Sequence, residues 1–181
     1  MTNDKFDLTF GGEFNGQGVL VARIYSASKS WNALCRHLWA ECEKTPNYRI
    51  ATNSICALSI ELSLKTILAI CGHTEKCLRD SGHSLVDLMK KIGDKNYEVI
   101  KQSYEKIANK NNFEEALKAN DDCFNKWKYI LPEKGTTDYV DDFDYQFMRW
   151  LQEALSDLSE VAHSAFLKAE RSSKWHSKWK K

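Results

Sequence analysis

From about Gly18 to Glu43, residues Val21, Ile24, Tyr25, Ala27, Trp31, Leu34, Cys35, Leu38, Trp39 and Cys42 recur at steps of three and four. That spacing predicts one buried face of a long helix. The "TPN" stretch breaks it, because Thr45 can cap and Pro46 suits a first helical turn. A second helix is predicted from about Asn47 to Cys71, stopped by Gly72. Its apolar residues Ile55, Leu58, Ile60, Leu62, Leu64, Ile67, Leu68 and Ile70 spread around most of the circumference. A helix apolar nearly all round belongs in the middle of a bundle. Glu61 and Lys65 share the one narrow charged wedge, in the favourable i,i+4 order, so they can neutralise each other.

Beyond Gly72 the chain reads as a polar loop, then a capping box of Ser84 and Asp87 opening a short helix over Leu85–Ile92 that stops at Gly93. Two further helices are predicted at about Tyr97–Ala108 and Phe113–Tyr129, then a loop over Pro132–Asp142. The last helix is expected over about Phe143–Glu170, with Phe147, Trp150, Leu151, Leu155, Leu158, Ala162, Ala165 and Phe166 on one face. Before all of this, residues 1–17 read as a flexible arm. Residues 171–181 read as a separate C-terminal tail. The expected architecture for residues 18–170 is all-α, a single bundle of about four main helices with short extra helices.

Composition narrows this picture without naming a partner. With 26 basic and 25 acidic residues the net charge is +1. The first residues show no secretory pattern, and no apolar window reads as long enough to span a bilayer, so a cytoplasmic protein that does not engage a membrane is expected. The six cysteines are then expected as reduced thiols, Cys35 and Cys56 among them serving as small hydrophobes on helical faces.

The order "ALSIELSLKTILAICG", "GHSLVDLMKKI", "FNKWKYILPE" and a long final helix resembles prokaryotic HEPN-like domains over about residues 48–168. The matching positions are Glu61, Leu62, Leu64 and Lys65, then His83 and Leu85, then Trp127, Tyr129 and Glu133. The resemblance implies a HEPN-like up-and-down bundle of four helices, commonly a homodimer, of bacterial toxin–antitoxin or antiviral defence systems. RNA, an antitoxin or a defence-complex protein would be the partner. It also implies a polar site between helices at Glu61, Lys65, His83, Tyr129 and Glu133, with no metal or cofactor. Many such domains are metal-independent ribonucleases with an Arg-x4–6-His pair near the start of the last helix. His would move the proton and Arg would stabilise phosphoryl charge. This chain departs from that pattern, since Arg149 has no His at that spacing. Its Arg-x4-His is Arg171 and His176, in the tail. The chain is therefore expected to be a binding module without the usual catalytic pair. The alternative is a ribonuclease toxin using Arg171 and His176 across a dimer.

Other constellations have chemical and structural readings side by side. The tail sets Arg171, Lys174, Lys178, Lys180 and Lys181 among Trp175 and Trp179, leaving the rest of the chain at −4. Phosphate neutralisation with aromatic stacking is how sequence-tolerant single-strand binders work. A solvated helix end, a dimer contact or docking on the acidic Asp138–Asp144 loop would use the same residues. Glu61 and Lys65 could simply fix which helices meet, or could line a site. Cys71, His73, Cys77 and His83 are zinc-ligand types, but their spacing fits no standard finger and structural roles account for them. "GGEFNGQG" has the glycines of a phosphate cradle but lacks the Lys-Ser/Thr of a P-loop.

Overall fold

The structure, a computed structural model, describes residues 17–42, 44–45, 49–121 and 144–178, with residues 49–50 and 173–178 described by backbone alone. These residues form seven helices and no strand: α1 (Gln17–Cys42), α2 (Arg49–Ile70), α3 (Glu75–Asp80), α4 (Leu85–Lys91), α5 (Asp94–Ala108), α6 (Phe113–Ala119) and α7 (Tyr145–Lys178).

Side-chain pairings set the directions. Along α1 and α2, Cys42 meets Thr52, Ser28 meets Ser63, and Gln17 donates to the carbonyl of Ala69, so the two run antiparallel. Along α1 and α7, Trp39 stacks edge-on against Tyr145, Asn32 meets Gln152, and Tyr25 stacks on His163, again antiparallel. Helix α5 starts near the end of α2, where Asn96 reaches Cys71, and returns to the start of α7, where Lys110 lies over Trp150. The four long helices therefore alternate up and down, as expected, with α3, α4 and α6 as the short additions.

The core follows from the apolar stripes. Helix α2 is central, with Cys56, Ile60, Leu64, Ile67 and Leu68 fully buried against α1, α4 and α7. By length and hydropathy its Ala51–Ile70 span could cross a membrane, contrary to the reading of the sequence, but 72% of that apolar window is buried inside the bundle. That is the environment a core helix needs. A second centre forms where Tyr104 of α5 packs against Phe113, Phe147 and Trp150 at ring-centroid distances of 5.1, 5.4 and 6.1 Å. Such offset and edge-on contacts suit aromatic quadrupoles.

Three expectations need correction. The helix expected at about Phe113–Tyr129 ends at Ala119, where the Asn120 side chain donates back to the Ala116 carbonyl. The polar stretch after Gly72 contains α3, whose N-terminus is capped by Thr74 and whose Leu78 is buried. Charged residues hid that one apolar anchor. The last helix runs on to Lys178, so most of the expected tail is two further turns of α7. Ser and Lys continue a helix readily, and neither Gly nor Pro interrupts the segment. Residues 1–16, and with them most of the glycine-rich "GGEFNGQG", lie outside the described residues.

Candidate functional site

Helix α2 carries Glu61 and Lys65 on adjacent turns, and Lys65 Nζ donates to Glu61 Oε1 at 2.6 Å. The other carboxylate oxygen, Glu61 Oε2, lies 2.9 Å from His83 Nδ1. A carboxylate only accepts, so Nδ1 carries the hydrogen of that bond. The Glu61 and Lys65 side chains are 6% and 14% exposed, while the His83 ring is 36% exposed. One buried carboxylate thus ties together Lys65, one turn along the same helix, and His83, 22 residues on from Glu61 in sequence.

The neighbouring loop is built to hold His83 there. Gly82 takes a positive φ of 67°, turning the chain after α3. Ser84 then caps α4 by accepting from the Asp87 amide at 3.0 Å, the helix start expected of the capping box. Asp121, at the end of α6, accepts from Ser84 Oγ at 2.8 Å and from the Val86 amide at 2.7 Å. The α4 N-terminus is therefore satisfied from two sides, and the residue before the cap has a fixed place.

Of the expected inter-helix polar site, the structure brings Glu61, Lys65 and His83 together. Tyr129 and Glu133 lie outside the described residues, as does Trp127. The four residues considered for zinc are dispersed in partnership. His83 binds Glu61, Cys71 accepts from Asn96 at 3.5 Å, and His73 Nδ1 sits 3.3 Å from Cys77 Sγ. Among the described residues no group of three or more His, Cys, Asp or Glu side chains is placed to hold a metal.

The second candidate is the end of α7. Gly18, at the start of α1, packs so close to Glu170 that a Cβ there would approach Oε1 to 2.8 Å. Residues 171–178 of α7 therefore run past that level of the bundle. With 3.6 residues per turn, positions 171, 174, 175 and 178 fall within an arc of about 100°. They are Arg171, Lys174, Trp175 and Lys178. The same geometry sets position 176 about 140° from position 171. Arg171 and His176 of one chain therefore occupy different faces of α7. Trp179 and Lys180 lie outside the described residues.

A buried polar seam, outside the sites the sequence predicts, joins three helices. Asn32 of α1 donates to Ser28 at 3.4 Å and to Ser63 at 3.3 Å, and its oxygen accepts from Gln152 at 3.1 Å and from Ser59. All five side chains are buried, at the junction of α1, α2 and α7. Such a network holds three helices in one register, because any slip leaves polar groups unpaired. Its signal was legible in hindsight: Ser59 and Ser63 are four apart on α2, and Ser28 and Asn32 are four apart on α1.

No family model matches the chain, and neither a curated protein nor a solved structure does.

Proposed function

We propose that this chain is a HEPN-like helical module of a bacterial defence or stress system that binds RNA without the usual catalytic pair of the last helix. The observation that carries the RNA reading is the register of the final turns of α7, where three basic positions and Trp175 share one face. Basic groups on one face can follow a phosphate backbone while an indole stacks on an unpaired base. Support for the HEPN-like part comes from Glu61, Lys65 and His83. These motif positions meet at one point although they come from separate segments. The ionic cluster then holds the α3–α4 turn on the central helix, and α7 presents the binding face. The ribonuclease alternative gains no support within one chain, since Arg171 and His176 diverge around the helix; it needs a second copy.

The test is fluorescence anisotropy with labelled single-stranded RNA and tRNA in EDTA, with gel readout of cleavage. Binding at low salt is expected, weakening as salt rises. The Lys174→Ala/Lys178→Ala variant should lose about 1.4 from the log–log salt slope, at about 0.7 per single-strand phosphate contact. The Trp175→Ala variant should lose about 1–3 kcal/mol of binding. Absence of RNA binding at low salt would sink the proposal. Cleavage by wild type that disappears in His176→Ala would replace it with the ribonuclease reading.

A further inference from the structure

Five cysteines lie among the described residues, and their surroundings differ sharply. Cys35, Cys42 and Cys56 are buried in the core. Cys42 is paired with Thr52 at 2.8 Å, and Cys56 donates to the Met148 carbonyl at 3.4 Å. Cys71 is partly buried, and burial pushes its thiol up from the usual range, which favours the unreactive protonated form. Cys77 is half-buried on α3, a helix of six residues at the surface, with the His73 imidazole nitrogen 3.3 Å from its sulfur.

The pair is held from both sides. Gln17 of α1 donates to the His73 carbonyl at 3.3 Å and to the Ala69 carbonyl at 2.8 Å, pinning the segment that leads into α3. On the other side Ser81 donates to the Cys77 carbonyl at 2.6 Å, and Lys91 of α4 donates to Ser81 at 3.0 Å. The thiol–imidazole contact thus joins two fixed backbone segments.

We propose that Cys77 is a nucleophilic modification site, with His73 as its base and a low-molecular-weight disulfide as its co-reactant. The His73 Nδ1 takes the thiol proton as Cys77 Sγ attacks one sulfur of the disulfide. The disulfide bond breaks, a mixed disulfide forms on Cys77, and the released thiolate takes up the proton from the imidazolium. Cys77 is oxidised as the incoming disulfide is reduced. The inference stands on the His73–Cys77 geometry and is independent of RNA binding.

The probe is oxidised glutathione, added to the folded full-length protein at about pH 7, with adducts mapped by peptide mass spectrometry over time. A synthetic peptide of residues 74–80 supplies the rate of the same thiol without its base. The native Cys77 adduct should form at least about tenfold faster than the peptide adduct, because a free thiol is only a few per cent thiolate at about pH 7 and a base in contact raises that fraction. The His73→Gln variant should fall to the peptide rate or below. A native rate no greater than the peptide's, or an unchanged rate in His73→Gln, overturns the proposal. The first comparison needs no variant, so a folding defect in His73→Gln does not remove the test.

Discussion

The Glu61–Lys65 pair answers to a double-mutant cycle. With Nζ 2.6 Å from Oε1 and an effective dielectric of about 20, the direct attraction is about 6 kcal/mol. Desolvating the two ions opposes this by several kcal/mol, leaving a net coupling of about 2 kcal/mol. Glu61→Ala strands Lys65 and also removes the acceptor of His83, so it should cost about 3 kcal/mol. Lys65→Ala leaves Glu61 with His83 as a donor and should cost about 2 kcal/mol. The double variant should then cost about 3 kcal/mol, well short of additivity. Urea unfolding of all four proteins, followed by helical circular dichroism, gives the free energies, provided each transition is two-state. An exposed i,i+4 pair couples by only about 0.3–0.5 kcal/mol. A measured coupling in that range would refute the claim that burial governs this contact.

Three further perturbations test other parts of the bundle. Asn32→Ala should destabilise by about 2–4 kcal/mol in urea unfolding, because Ser59 and Gln152 lose their shared acceptor inside the core. Tyr104→Phe should leave stability at neutral pH unchanged or raise it by up to about 1 kcal/mol, since among the described residues the buried hydroxyl has no partner to lose. Burial, with Asp144 and Glu105 adding, pushes the Tyr104 phenol up to about 12. Its contribution is fully present below the unfolded value of about 10 and is lost as pH rises towards about 12. Comparing unfolding midpoints at about pH 9 and about pH 11 should therefore show a smaller alkaline loss in Tyr104→Phe than in wild type. At Gly82 a Cβ would meet nothing within 4 Å, so Gly82→Ala should cost only the backbone penalty of its positive φ, about 1 kcal/mol. Gly82→Asn should cost less, and equal thermal midpoints for the two variants would argue against that cause.

Much of the fold was legible because its long helices announce themselves twice, by periodic apolar positions and by breakers at their ends. The α1 stripe, apart from the exposed Leu34, the nearly continuous apolar surface of α2 and the Ser84 cap all follow from local rules. Short elements were harder. Helix α3 has one buried apolar residue, Leu78, too little for periodicity to register. The end of α7 reads as a tail because charged residues take over from apolar ones, although nothing in it breaks a helix.

The candidate site divides along the same line. Glu61 and Lys65 are four apart on one helix, so local geometry alone places them in reach, and the sequence determined that pair. By itself it also determined which face of each long helix is apolar, and therefore that a helical bundle forms. It did not determine that His83 would complete the Glu61 carboxylate, that His73 would stand against Cys77, or that Asn32 would gather side chains from α2 and α7. The His83 and Asn32 contacts join residues 22 to 120 positions apart, and the turns and helix crossings that bring them together are decided only when the whole core packs. The His73–Cys77 contact is short in sequence but crosses the turn into α3, whose placement depends on Gln17 and Lys91 from other helices. Periodicity carries information along one helix; the meeting of polar groups between helices is set by the tertiary structure, where each buried donor must find its acceptor.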